Sequence, residues 1–279
     1  FPIIVAHGHV ADLAARGCDY LFLPNVLNVE TRWMERNSHV CPWGQTLPYV
    51  LRQSPAFASI RPGQWLSPVL RFREGAAEIR RELRRLFKPL GLSARRVDRA
   101  VAAAYEAQRR FAEACRAKGA EALETLRRRN QRGIVLVGRP YNIHDAGVSL
   151  AVQRKLRESY GVNVIPIDFL DTEAVDVRDI NDNMYWSYGR KILAAAKLVA
   201  GRPNLDIIYV TNFKCGPDSF IKHFIRSTSG RPFLTLQFDG HSNDAGMMTR
   251  CEAYLDSKGF LRPLPSAADE TSQSFVAGG

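Results

Sequence analysis

The chain has 279 residues, of which 46% are hydrophobic and 24% are charged, and its formal net charge is +11. These values describe a soluble globular protein of one or two domains that is long enough to bury a sizeable core. They exclude a membrane-spanning helix, because no apolar run approaches the ~18 residues that such a helix requires. The sequence opens at Phe1 with neither an initiator methionine nor a signal peptide, so we expect a fragment or a processed product.

The first 70 residues have the pattern of an α/β lobe. Apolar spacing favours a helix over Val10–Arg16, a strand over Asp19–Leu23, a helix over Gln45–Gln53 and a strand over Trp65–Phe72. The polar residues 28–40 are predicted to be irregular. We therefore assign residues 1–70 to part of a first α/β lobe.

The excess positive charge is concentrated in Arg71–Arg132, where apolar residues recur at helical spacing. Residues 71–131 are therefore predicted to form a helical connector. Its arginines are compatible with nucleic-acid binding, but glutamates interleaved at helical spacing favour a solvated face with ion pairs. Because no aromatic platform accompanies the arginines, we rank nucleic-acid binding last.

Residues 132–262 alternate between strand and helix patterns. Strands are predicted over Gly133–Gly138, Val162–Ile167, Ile207–Phe213 and Pro232–Phe238, and helices from Asp145 or Ala146 through Glu158, over Met184–Ala200, from Asp218, and over Ala245–Ser257. Strand–helix–strand units of this length predict parallel strand pairing, so we assign residues 132–262 to a second α/β lobe. Residues 263–279 are rich in Pro, Ser, Ala and Gly, and are predicted to be a disordered tail or linker.

The stretch Leu205–Ser219 places Cys215 where a predicted strand ends and a helix begins. Ligands collect at such edges of an open α/β sheet, and helix N–H groups favour the thiolate form of a cysteine. Cys41 has a similar setting, with Pro42 after it and a helix following. Thiolates are the usual ligands of iron–sulfur clusters. However, the two cysteines are far apart in sequence and lack CxxC spacing, so simple packing remains an alternative.

The remaining cysteines, Cys18, Cys115 and Cys251, are interpreted as packing residues. An odd number of cysteines without framework spacing indicates a reducing compartment, so we expect a cytoplasmic protein.

The loop after Gly138 supplies the candidate substrate-binding residues Arg139, Tyr141 and His144. A strand–loop–helix turn can hold phosphate, and Arg139 can pair with it. A structural role of this arginine in the turn is an equal alternative. The loop has neither a GxGxxG nor a GxxxxGK[ST] motif, so neither a dinucleotide fold nor a P-loop ATPase is supported.

Several motifs between Phe1 and about Gly259 together resemble the cluster-binding region of proteins related to the activases of acyl-CoA dehydratases. This region is similar to 2-hydroxyacyl-CoA dehydratase components and to double-cubane reductases. The motifs are AHGHVADL, GCDYLFLP, CPWGQTLPYV, GRPYNIHD, YWSYGRKIL, NFKCGPDSF and DGHSNDAGMMTRCEAYLDS.

The resemblance implies two Rossmann-like α/β lobes around an oxygen-sensitive iron–sulfur cluster, either 4Fe-4S or double-cubane, held by three cysteines. Cys41 and Cys215 match two ligand positions, and the third lies immediately before Phe1. We therefore expect an incomplete N-terminal lobe, and a chain that by itself lacks one cluster ligand. The implied partner is an activase ATPase domain or subunit of the acetate/sugar kinase–actin type, and a dimer is compatible with this assignment.

Three functional hypotheses follow. In the first, the protein is an iron–sulfur reductase or dehydratase-like component that passes low-potential electrons from an activase ATPase to a small substrate, for example an acyl-CoA. In the second, it is a non-catalytic α/β interaction module of a larger activase-fused protein, with structural cysteines. In the third, ranked last, it is a basic nucleic-acid binder.

Overall fold

The computed structural model describes residues 2–33, 37–240 and 243–261, so the predicted tail over residues 263–279 lies outside the described residues. The helices are α1 (Pro2–Ala15), α2 (Pro42–Arg52), α3 (Ala76–Phe87), α4 (Ala94–Arg128), α5 (Pro140–His144), α6 (Val152–Tyr160), α7 (Ser187–Ala200), α8 (Gly216–Ser229) and α9 (Ala245–Ser257). The strands are β1 (Leu21–Phe22), β2 (Asn25–Asn28), β3 (Trp65–Leu66), β4 (Val69–Arg71), β5 (Gly133–Gly138), β6 (Asn163–Pro166), β7 (Leu205–Asn212) and β8 (Leu234–Phe238).

The larger sheet has the order β6-β5-β7-β8, and each neighbouring pair is parallel. Every residue of the two central strands β5 and β7 is buried, as expected for parallel strands that helices cover on both faces. One hydrophobic core joins this sheet to α6, α7, α8, α9 and the end of α4. The predicted α/β fold class with parallel sheets is therefore confirmed, including the parallel pairing of β5 with β6.

The N-terminal region contains two short parallel pairs, β1 with β3 and β2 with β4. The prediction that residues 28–40 would be irregular is wrong at its start, because β2 ends at Asn28. The polar ends of β2 conceal the strand in the sequence. Asn25 donates its side-chain amide to the backbone oxygen of Gln45, and Asn28 accepts from the backbone N–H of Arg73 at 3.0 Å. Both asparagines are buried because these bonds satisfy them.

Helices α3 and α4 form the connector region. The 35-residue helix α4 packs against α3 at Val97 and Val101, and its far end reaches the large sheet through the buried Leu126. Between these contacts, Gly119 of α4 packs directly against the backbone of Phe169. A Cβ added at Gly119 would lie 1.7 Å from the backbone oxygen of Phe169. The domain boundaries at residues 70, 131 and 262 remain predictions.

Several predicted helix boundaries are wrong. Helix α1 begins at Pro2 instead of Val10, α2 at Pro42 instead of Gln45, α7 at Ser187 instead of Met184, and α8 at Gly216 instead of Asp218.

The helix predicted from Asp145 through Glu158 is two helices, α5 and α6. They are separated because Leu150 and Ala151 adopt left-handed φ angles of 49° and 53°, which a continuous helix cannot contain. In the described ranges, no helix is both long enough and apolar enough to cross a membrane.

Candidate functional site

Cys41 and Cys215 occupy equivalent positions at the starts of two helices. Cys41 is the N-cap residue of α2, and Cys215 is the N-cap residue of α8; both are partly buried. Each helix has a proline in its first turn, where a missing N–H removes no intrahelical hydrogen bond. The sequence thus directs both thiols to helix N-termini through the same local rule.

The segment before α2 packs against residues at the start of α7, one of the helices that cover the larger sheet. The backbone N–H of His39 donates to the oxygen of Tyr185 at 3.2 Å, and the two rings stack with centroids 4.3 Å apart. Next to Tyr185, the ring of Trp186 makes an edge contact with Phe220 of α8 at 6.3 Å. The loop that carries Cys41 is therefore fixed near the first turns of α8.

A buried ion pair lies beneath this region. Arg139, which follows β5, donates from Nε and Nη2 to Oδ1 of Asp218 at 3.2 and 3.0 Å, and both side chains are 1% exposed. The other oxygen, Oδ2, accepts from the hydroxyl of Thr211 at 2.5 Å. Because Arg139 is buried and paired with Asp218, the structure favours the structural alternative for this residue over direct pairing with a substrate phosphate.

Both candidate cysteines act on this same arginine. Burial lowers the pKa of Arg139, but the negative charges of Asp218, Tyr141, Cys215 and Cys41 together outweigh burial and raise the pKa above its usual value. Tyr141 interacts with the same groups: burial is the main cause that raises its pKa, and Cys41 and Cys215 contribute in the same direction. Arg139 and Tyr141 therefore lie within electrostatic range of both thiols, although the thiols are remote in sequence.

The predicted effect of the α8 N-terminus on Cys215 is outweighed by burial and by a nearby carboxylate. Burial raises the pKa of this thiol, and the negative charge of Asp218 raises it further. The backbone N–H of Asp218 and the charge of Arg139 lower it, but they do not compensate. These groups together favour the thiol form of Cys215.

His144 belongs to a second polar group next to this one. Its Nε2 atom lies 2.7 Å from Oδ2 of Asp168, whose other oxygen pairs with Lys191. Tyr188 interacts with a member of each group: burial and Asp168 raise its pKa to about 12, while Arg139 lowers it. The structure thus places Cys41, Cys215, Arg139 and Tyr141 together, with His144 at a neighbouring position.

Sequence reasoning missed the carboxylates of Asp218 and Asp168. Asp218 has a local signal, since it lies three residues after Cys215 in the first helical turn. Asp168 has none, because only the fold brings it to His144.

Large apolar side chains remain exposed near the two thiols. Trp43 and Phe220 lie in the first turns of α2 and α8, Phe213 precedes Cys215, and Tyr185 stacks on the segment before Cys41; their exposed fractions range from 43% to 60%. Such aromatic groups can exclude water from a shallow site once a partner or ligand covers them.

The cysteine region fits part of an iron–sulfur ligand set. Cys41 and Cys215 are of the correct donor type, and two buried amides, Asn142 and the Nδ2 atom of Asn212, have no hydrogen-bond partner in the described structure. These asparagines follow β5 and end β7, and N–H groups there can donate to sulfur. Within the described ranges, no group of three or more His, Cys, Asp or Glu side chains is arranged to hold a metal ion. Cys41 and Cys215 therefore have the chemistry of cluster ligands, but they are fewer than the three cysteines that the resemblance implies.

In comparisons with known proteins, a protein-family model matches residues 1–170 of the chain. The matched region includes Cys41 and the loop from Arg139 to His144, and it ends before Cys215. No curated protein and no solved structure matches the chain significantly. Because the matching model covers more than half of the chain, this protein belongs to the family described as the CoA enzyme activase uncharacterised domain (DUF2229), as its resemblance to activase-related proteins predicted.

Proposed function

We propose that the protein is an iron–sulfur component that receives low-potential electrons from an activase ATPase and passes them to a small substrate such as an acyl-CoA. The observation that carries this proposal is the position of Cys41 and Cys215, two remote N-cap thiols that share Arg139 and Tyr141 as neighbours. Membership of an activase-related family supports the relation to an activase.

In this proposal, Cys41 and Cys215 hold the cluster together with a cysteine that precedes Phe1. The cluster, when bound, supplies one-electron transfer at low potential. The chain's own contribution is electrostatic, because the buried cation of Arg139, fixed by Asp218, offsets the negative charge of nearby thiolates. Tyr141 and His144 are the proposed contacts of the substrate, since both keep part of their side chains accessible.

Anaerobic reconstitution with iron and sulfide tests the cluster. The full chain and a variant with one cysteine added before Phe1 are both reconstituted. Bound iron is then measured, and EPR spectra are recorded on the dithionite-reduced proteins. We expect the added cysteine to increase bound iron, to about four irons per chain for a single cubane. Cys41→Ser and Cys215→Ser should each abolish the EPR signal.

Cys18→Ser is the matched control, because Cys18 is also partly buried but packs in the N-terminal hydrophobic cluster. It should leave the iron content unchanged. If Cys41→Ser and Cys215→Ser, each made in the variant with the added cysteine, leave its iron content unchanged, the assignment of these ligands is wrong.

A second candidate is a non-catalytic module of a larger activase-fused protein. The incomplete ligand set within the described residues favours it. This candidate predicts that the variant with the added cysteine binds no iron, and that Cys41→Ser plus Cys215→Ser leaves activase-dependent activity of the full-length protein unchanged.

Nucleic-acid binding has less support, because glutamates engage part of the basic α4 surface. Arg109, for example, pairs with both Glu106 and Glu113.

A further inference from the structure

A large groove of the described structure lies away from the two thiols. Its volume is about 830 Å³. One wall is a single face of α4 between Lys118 and Arg129, the other is formed by Gln153, Arg154 and Arg157 of α6, and strand β6 lies between them. Cys215 follows the carboxyl end of β7, whereas this groove includes Gln131 and Gly161, which precede β5 and β6.

Positive charge converges in this groove from two helices. Lys118, Arg129, Arg154 and Arg157 line it with one carboxylate, Glu121, which pairs with Lys118 at 2.9 Å. Among the described residues, Arg157 donates to two neutral groups, the oxygen of Gly161 and Oδ1 of Asn163.

In the part of the chain that the structure describes, no carboxylate pairs with Arg129, Arg154 or Arg157. The three arginines thus leave three positive charges uncompensated. Like charges facing one another across a concave surface repel, and a bound anion would relieve that repulsion.

The groove also has an apolar part. Leu126 and Ile165 contribute buried side chains, and Ala122 and Val164 are partly buried beside them. A site of several hundred Å³ with an apolar base and a few polar anchors has the usual size and composition of a small-ligand site. Inorganic phosphate alone would leave this base uncovered, whereas a larger organic phosphate would cover it.

We propose that this groove binds a phosphorylated ligand of nucleotide size, with a nucleoside diphosphate as the matching chemical class. The phosphates lie against Arg129, Arg154 and Arg157, which can bind them with paired N–H groups. The ring system lies against the apolar residues of α4 and β6. The site requires neither iron nor the cysteines, so it stands independently of the proposed electron-transfer function.

Isothermal titration calorimetry on the full chain tests this site, with ADP, pyrophosphate and adenosine as probes. We expect saturable binding of ADP, weaker binding of pyrophosphate because it lacks the ring, and no detectable binding of adenosine because it lacks the charge. The Arg129→Gln/Arg154→Gln variant should bind ADP at least tenfold more weakly. Both side chains are exposed, so this variant should melt at the same temperature as the parent protein.

The matched control is Arg95→Gln/Arg99→Gln, which removes the same charge from exposed α4 positions outside the groove. Its ADP affinity should stay within twofold of the parent value. Hydrogen exchange with bound ADP should show protection in residues 118–131 and 153–165. The proposal is overturned if ADP does not saturate, if the control weakens binding as much, or if protection appears elsewhere.

Discussion

Substitution of Asp218 by asparagine removes the counter-charge of a buried arginine with almost no change in side-chain size. Asp218 and Arg139 are each 1% exposed, and the carboxylate accepts two N–H groups from Arg139 and one hydroxyl from Thr211. Leaving one member of a buried ion pair unpaired costs about 3–5 kcal/mol, because the remaining charge is neither hydrated nor neutralised. That cost is a large fraction of a typical domain's stability of about 5–15 kcal/mol.

Urea unfolding at pH 7, followed by circular dichroism, measures this effect. We expect Asp218→Asn to lower the free energy of unfolding by about 3–5 kcal/mol. Thr211→Val should cost about 1–2 kcal/mol, because the carboxylate keeps its arginine and loses one hydrogen bond. The Arg139→Met/Asp218→Leu double variant should be more stable than Asp218→Asn, since it leaves no buried charge.

Glu106→Gln is the control, because it removes a solvent-exposed partner of Arg109 and should leave the unfolding midpoint unchanged. If Asp218→Asn is no more disruptive than this control, the ion pair is hydrated and the reasoning fails. A second readout is the alkylation of Cys215 as a function of pH. Because the Asp218 carboxylate raises the pKa of this thiol, the asparagine variant should react at lower pH. If Asp218→Asn does not fold, urea unfolding of Thr211→Val still tests the hydrogen bonding of the Asp218 carboxylate.

Three further effects are expected. Gly119→Ala should lower the free energy of unfolding by about 1–3 kcal/mol, because the added Cβ would clash with the backbone of Phe169. Gly8→Ala in α1 is its control, because an added Cβ there has no atom within 4 Å and should stabilise the helix by up to about 1 kcal/mol. Lys214→Gly should be neutral or stabilising in urea unfolding, because Lys214 has a φ of 61° that glycine adopts without strain. Burial raises the pKa of Cys251 to about 11. The stability that this buried thiol contributes is therefore complete below about pH 9 and is lost as the pH rises from about 9 to about 11. Cys251→Ala should reduce this loss in the free energy of unfolding by about 2–3 kcal/mol.

The resemblance to activase-related proteins, read from short motifs, agrees with the family match over residues 1–170. The family level was therefore predictable from the sequence. The cluster and its third ligand remain proposals, because the described residues contain two of the implied thiols and no group of three metal-ligating side chains.

Local pattern alone determined the central strands and the starts of the two key helices to within a few residues. The strand Gly133–Gly138 has the predicted bounds, because a fully apolar run between turn residues has few alternatives. The positions of Cys41 and Cys215 at helix starts were also predictable, since a proline one or two residues after each cysteine can open a helix.

Only the tertiary structure decided the charge and burial around those thiols. Arg139 and Asp218 are 79 residues apart and meet because β5 and β7, adjacent in the sheet, end side by side. No local period encodes that meeting, so the buried ion pair, the raised pKa of Cys215 and the burial of Arg139 could not be predicted. The physical reason is that helix and strand preferences depend on neighbours in sequence, whereas desolvation and charge pairing depend on the order in which strands assemble.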